Sequence, residues 1–166
     1  TVYDSWSRHI EDSAQLWQFV SESDTKWVDF GSGAGFPGLV IAIIAKEKNP
    51  NMSVVLIESD ERKCIFLNEI ARITGVEVKV LNDRIEKIPY LDANIVSARA
   101  LSSLENLMFY SKLHRKINGK SLFLKGKKVK SELRMIQQKE RFDFELIPSY
   151  FQKSGFILKV GNQIND

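Results

Sequence analysis

The sequence predicts an α/β fold of the doubly wound kind, a mostly parallel seven-stranded sheet closed by an antiparallel C-terminal hairpin. Three observations carry this. Short apolar strands alternate with helical stretches along the 166 residues, the pattern of successive βαβ units. A glycine-rich turn follows the first strand at once. The last two strands have only a short loop between them, which suits an antiparallel pair. No repeat, low-complexity tract or Pro/Ser-rich linker divides the chain, so one domain is expected over residues 1–166. A domain of this size buries roughly 70% of its unfolded-chain surface.

Each element follows from local pattern. Trp6, Ile10, Ala14, Trp17 and Val20 recur at helical spacing, so an opening amphipathic helix is expected over about residues 4–22, packed on the domain. Trp27 to Phe30 is short and apolar, a buried strand. Pro37 stands where a helix begins and where its missing N–H is harmless; Leu39 to Ala45 continue that helix. Val54 to Ile57 is the second strand. Asp60 is placed to cap the helix carrying Cys64, Phe66, Leu67, Ile70 and Ile73, which ends near Gly75. Strands three and four are expected at Val76–Leu81 and Ala93–Ser97. A helix over Leu101–Ile117 leads to strand five at Ser121–Leu124. A helix near Lys130–Lys139 and late strands at Phe144–Ile147 and Phe156–Val160 complete the chain.

Composition narrows the setting. The chain is 43% hydrophobic and 27% charged, ordinary for a globular protein. Its single cysteine, Cys64, can form no internal disulfide framework and supplies no thiol cluster for zinc. His9 and His114 are too far apart in sequence to suggest a shared metal site, so no metal is expected. No apolar run approaches the ~20 residues that cross a bilayer, and the start lacks a signal-peptide pattern; a cytoplasmic protein without membrane contact is expected. The chain opens on Thr1 with a helical pattern close behind, and a further helical segment is expected ahead of it.

The net charge of +3 conceals an asymmetry. Between Lys112 and Lys130 stand eight cations and no Asp or Glu, which gives +8 there and −5 elsewhere. Such a block suggests a polyanionic partner.

Chemistry concentrates after strand one. Gly31, Ser32, Gly33, Ala34 and Gly35 form the turn, where glycine allows a tight bend and close backbone approach to a ligand. Gly33, Gly35 and Gly38 also satisfy the dinucleotide spacing, so a nicotinamide or flavin enzyme stays in view. Asp29, ending strand one, occupies the position with which methyltransferases hold the methionine end of S-adenosylmethionine. Glu58, ending strand two, stands where an acid accepts hydrogen bonds from ribose hydroxyls. A doubly wound sheet finishing in a hairpin is the arrangement of Rossmann-like class I S-adenosylmethionine-dependent methyltransferases, and nothing downstream resembles a dehydrogenase proton-transfer site. Cysteine-nucleophile chemistry would need Cys64 in the pocket, whereas its helical position indicates core packing. The Asn/Asp-Pro-Pro-aromatic motif of exocyclic-amine methyltransferases is replaced after strand four by Ser97-Ala98-Arg99-Ala100.

The motifs carry a resemblance. Arg8-His9-Ile10-x-Asp12-Ser13, then Asp29-x-Gly31-Ser32-Gly33-Ala34-Gly35-Phe36-Pro37-Gly38, resemble the RsmG family, formerly GidB. Glu58-Ser59, Arg62-Lys63, Phe66-Leu67, Arg84-x-Glu86, Ser97-x-Arg99-Ala100 and Leu124-Lys125-Gly126 continue the likeness in order. It runs from about Arg8 to Gly126 and is looser at Lys153-Ser154-Gly155-Phe156. The resemblance implies methylation of guanine N7 in small-subunit (16S) ribosomal RNA, with S-adenosyl-L-methionine as donor and the RNA or a 30S-type particle as partner. It implies a cofactor site of Asp29, Gly31, Ser32, Gly33, Gly35, Phe36, Glu58, Ser59, Ile85, Glu86 and Arg99, with Ile85 and Glu86 along the adenine. Arg84, Arg99 and Lys125 would position the reaction, and Arg62, Lys63, Arg84, Lys125, Lys127 and Lys128 would contact RNA. His9 suits a positioning role. A monomer is expected. The competing readings are a methyltransferase on another RNA base or a small molecule, and a nucleotide-binding module without turnover.

Overall fold

The computed structural model describes residues 1–164. Its elements are α1 (Val2–Ala14), β1 (Lys26–Phe30), α2 (Gly38–Lys48), β2 (Ser53–Ile57), α3 (Glu61–Thr74), β3 (Lys79–Leu81), β4 (Ala93–Arg99), α4 (Leu104–His114), β5 (Arg115–Lys125), α5 (Val129–Gln137), β6 (Phe142–Pro148) and β7 (Phe156–Gln163). The seven strands form one sheet in the order β3-β2-β1-β4-β5-β7-β6. β1 to β5 pair in parallel, whereas β7 runs antiparallel between β5 and β6. The order reverses at β1, so the carboxyl ends of β1 and β4 diverge into a crevice, the usual place for a ligand in an open α/β sheet.

Alternation along each strand sends side chains to opposite faces. Val28, Phe30, Val96, Ala98 and Phe123 pack with Leu104, Leu107, Leu133 and Ile136 from α4 and α5. Trp27, Leu56, Ile95, Leu122 and Leu124 pack with Leu39, Ile41 and Leu67 from α2 and α3, and with Leu16. Both faces are covered, which is why the central strands read as continuous apolar runs.

Several boundaries move, each for a local reason. The opening helix ends at Ala14 and tightens into a 3₁₀ turn over Gln15–Phe19, where the Gln15 amide reaches sideways to Asp12 and Ser149. Asp60 caps α3 as expected, accepting from the N–H groups of Arg62 and Lys63. Strand three begins at Lys79 rather than Val76, because Val76 N–H still satisfies the Ala71 carbonyl as the chain leaves α3 through left-handed Gly75. The helix expected over Leu101–Ile117 is shorter at both ends. Ser103 caps it, and Arg115 instead opens an eleven-residue β5. The Arg115 guanidinium is drawn into the sheet, donating to Ser121 Oγ (2.8 Å) and to the carbonyls of Val160 (3.0 Å) and Gly161 (2.7 Å). No helix among the described residues is long and apolar enough to cross a membrane.

Candidate functional site

β1 delivers the chain to a turn in which Gly31 has φ 62°, Gly33 54° and Gly35 97°. A Cβ at Gly31 would also lie 2.3 Å from Leu101 Cδ1, so the Leu101 side chain would have to move aside. Gly38 answers a different demand. Its Cβ would stand 2.3 Å from Leu56 Cδ2 and 2.7 Å from Asp29 Oδ2, so α2 can approach the sheet this closely only without a side chain.

Beyond the turn lies a cleft of about 480 Å³ at the carboxyl ends of the strands. Gly31 and Gly33 form one wall, Glu58 and Ser59 the end of β2, Asp83 to Glu86 the loop after β3, and Arg99 to Leu101 the opposite side, with Tyr110 from α4. The Glu58 carboxylate is 7% exposed. Its Oε2 accepts from Gly33 N–H at 2.8 Å and its Oε1 from Asp60 N–H at 3.0 Å. These bonds lock the acid against the turn, and each carboxylate oxygen retains acceptor capacity for a pair of sugar hydroxyls. Glu86 Oε1 accepts from Tyr110 O–H at 3.2 Å. Buried His114 donates from Nε2 to the Ile85 carbonyl at 2.9 Å, fixing the loop that carries Ile85. An acid beside a glycine turn, an apolar loop wall and the cations Lys63, Arg84 and Arg99 together fit the ribose, base and carboxylate of S-adenosylmethionine.

Asp29, Ser32, Gly35 and Phe36, expected in contact with cofactor, are not among the residues that line this cleft. Asp29 is fully buried. It accepts from Ser97 Oγ–H at 2.7 Å and Gly38 N–H at 3.2 Å, and Trp27 Nε1–H in turn donates to Ser97 Oγ at 2.8 Å. Burial, opposed by these bonds and assisted by the charge of Glu58, pushes the Asp29 carboxyl up to about 6. Asp29 therefore holds the turn from beneath. Ser32 spans to β2 through its N–H and the Ile57 carbonyl, and Phe36 packs against Trp6 and His9.

Arg99 stands at the junction between elements. Its Nη2 donates to His9 Nδ1 at 2.5 Å, and its guanidinium carbon lies 5.8 Å from the Phe36 ring centre. Burial, reinforced by the Arg99 charge, holds His9 below the usual imidazole range, consistent with a neutral ring that accepts at Nδ1. His9 is thus a positioning partner of Arg99.

The cationic segment does not form one surface. Lys112 pairs with Glu140 (2.7 Å) and Lys120 with Asp24 (2.8 Å), while Arg115 is committed to the sheet. These three, with Lys116, lie toward the amino end of β5, away from the cleft. Lys125 is on the expected rim but turns inward, 12% exposed, paired with Glu132 at 3.1 Å and donating to the Ser102 carbonyl. Lys63 and Arg84 line the cleft, Lys127 lines an adjoining pocket, and Arg62 and Lys128 line neither. A larger cavity of about 720 Å³ sits at the amino end of the sheet around Met52 and Val76 and contains none of the expected residues. Sequence reasoning assigned no contact to Asp83, Leu101 or Tyr110. Only the Ser97-x-Arg99-Ala100 run pointed toward Ser97 and Leu101, and no local signal marks Tyr110.

The family described as rRNA small subunit methyltransferase G, GidB, matches residues 1–155. The chain belongs to this family. The Ribosomal RNA small subunit methyltransferase G of Ruegeria pomeroyi is 41% identical over 160 residues, covering 96% of this chain and 78% of that relative. The protein of the same name from Rickettsia typhi is 42% identical over 162 residues, covering 98% and 81%. Among solved structures, a SAM-dependent methyltransferase from Aquifex aeolicus superposes with a TM-score of 0.71 at 17% identity, covering 92% of this chain and 90% of that one. That likeness is one of fold for this member of the rRNA small subunit methyltransferase G family.

Proposed function

We propose that this chain transfers the methyl group of S-adenosyl-L-methionine to N7 of a guanine in small-subunit (16S) ribosomal RNA. It does so in the cytoplasm as a monomer, residues 1–166 acting as one methyltransferase domain on the RNA or a 30S-type particle. The observation that carries the reading is Glu58 held against the Gly31–Gly33 turn at the topological switch point, in a chain of this family.

S-adenosyl-L-methionine, held by the turn and Glu58, would supply an electrophilic methyl on a sulfonium, the carbon–sulfur bond exchanging for a carbon–N7 bond with the positive charge passing to the guanine ring and a neutral thioether left behind. N7 has a lone pair and no proton, so the protein need not remove one. What remains is positioning and water exclusion. The turn and Glu58 would hold the sugar, the Ile85 loop would flank the base, and Arg99 stands at the edge where donor and acceptor would meet. Lys63, Arg84 and Lys127 offer charge to phosphates, and Lys125 shapes the rim through Glu132.

The test is transfer of labelled methyl groups to small-subunit RNA lacking the modification, followed by digestion to nucleosides. The label is expected in 7-methylguanosine alone. Label in another nucleoside would overturn the assignment of base.

A further inference from the structure

A second pocket, of about 380 Å³, adjoins the cofactor cleft and shares Arg99 and Ala100 with it. The size falls within the ~300–1,000 Å³ typical of small-ligand sites. Leu124 to Lys127 form one wall, Gln152 to Phe156 the other, and Asp12 of α1 closes one side. We propose that this pocket receives the target guanine and that Asp12 reads its Watson–Crick edge. The inference rests on the guanine-N7 reading and assigns the residue that selects the base.

The geometry of Asp12 carries the argument. Its side chain is almost wholly buried, yet both of its hydrogen bonds fall on one oxygen. Oδ1 accepts from Gln15 Nε2 at 2.5 Å and from Ser149 Oγ at 2.6 Å. The Ser149 bond clasps α1 to the loop between β6 and β7, and the Gln15 bond, from the next turn of the same segment, orients the carboxylate. Among the described residues no hydrogen bond is made to Oδ2. An ionised carboxylate only accepts, so this wall asks for a donor.

Arg99, on the same pocket, only donates. A donor beside an acceptor-only group matches guanine, which presents the O6 acceptor next to the N1–H and N2–H donors. Adenine presents a donor and then an acceptor there, the reverse order. With N1–H and N2–H both directed at Asp12 Oδ2 and O6 toward Arg99, N7 lies on the side away from Asp12, facing the shared wall and the cofactor cleft. Phe156, packed on one side against the core and with Lys130 Nζ 5.1 Å from its ring centre, adds a half-buried aromatic wall; unstacked RNA bases commonly stack on such rings.

Two variants separate recognition from architecture. Asp12→Asn keeps an Oδ1 acceptor for the clasp and replaces Oδ2 with a donor. Ser149→Ala removes one of the two bonds to Oδ1 and keeps the carboxylate together with the Gln15 bond that orients it. With small-subunit RNA as substrate, D12N is expected to lower kcat/KM about a hundredfold or more while S-adenosylhomocysteine binds unchanged, and S149A to stay within about threefold of wild type. A substrate carrying inosine at the modified position keeps N7 and lacks only the 2-amino group. Wild type should methylate it about tenfold more slowly than guanine, and D12N should treat the two alike. D12N within threefold of wild type, or D12N retaining the wild-type preference for guanine, overturns the role of Asp12. If D12N does not fold, the wild-type ratio alone decides: equal rates on inosine and guanine overturn it. The nucleoside digest keeps this apart from the broader reading, since a wild-type product other than 7-methylguanosine refutes the base assignment itself.

Discussion

Asp29 gives a quantitative test of how the turn is held. Its carboxyl is fully buried beneath Gly38 and Ser97, and burial raises it from 3.8 to about 6. That difference is worth about 3 kcal/mol between the protonated and ionised forms. The direction follows from proton counting. Between about pH 4 and 6 the folded chain keeps the proton that the unfolded chain has released, so stability from this group is full below the unfolded value and declines as pH rises through 6. Asparagine at this position cannot titrate. Urea unfolding of wild type and Asp29→Asn from pH 4 to pH 7 should therefore show wild type losing up to about 3 kcal/mol relative to the variant. The carboxyl carbon of Asp29 should titrate near 6 in a carbon-detected NMR series. Parallel stability profiles, or a titration near 4, would show that the carboxyl is solvated and that the account of the buried Trp27–Ser97–Asp29 chain is wrong.

Other expectations rest on different contacts. Gly31→Ala shares with Gly33→Ala a left-handed backbone worth ~1–2 kcal/mol, but only the first meets Leu101 at 2.3 Å; the nearest atom at Gly33 is 3.8 Å away. Urea denaturation should find G31A the less stable by about 1 kcal/mol or more, and equal values would contradict the packing. Arg115→Ala strips donors from the Val160 and Gly161 carbonyls and should cost about 3 kcal/mol in thermal or urea unfolding, with lysine a poor substitute because it lacks the planar fork. For RNA binding measured against salt, replacing Lys127 and Lys128 together should reduce the logarithmic slope by about 1.5. Replacing Lys112 and Lys116, at the far end of β5, should leave it unchanged.

The legible parts of this chain were those governed by local chemistry. Strand positions near Trp27–Phe30 and Val54–Ile57, the Asp60 cap and the Gly31–Gly33 turn could be read because an apolar run, a cap and a glycine each declare themselves within a few residues. Glu58 and Arg99 were readable by their place at strand ends. Strand-end position alone does not say whether a side chain faces ligand or core; Asp29 is buried, and Gly38 lets α2 close over it. Charge counting pointed to a polyanionic partner but did not place the cations on one surface, for a related reason. Lys112, Lys120 and Lys125 find Glu140, Asp24 and Glu132, partners 28, 96 and 7 residues away in sequence. The same distance hid the clasp of Asp12 on Ser149, 137 residues apart, and the contact of His9 with Arg99. Long-range pairing of polar groups is set by the sheet order, and one strand at a time does not reveal it.

The central claim is that the cleft between the Gly31–Gly33 turn, Glu58 and the Ile85 loop binds S-adenosylmethionine. Calorimetric titration of S-adenosylhomocysteine into the wild-type protein and into Glu58→Ala, with NAD as control ligand, tests it most directly. The account predicts one-to-one binding of S-adenosylhomocysteine to wild type, no heat from NAD, and an affinity reduced about tenfold or more when the sugar-facing carboxylate is removed. Binding of NAD instead, or equal affinity in E58A, would contradict it.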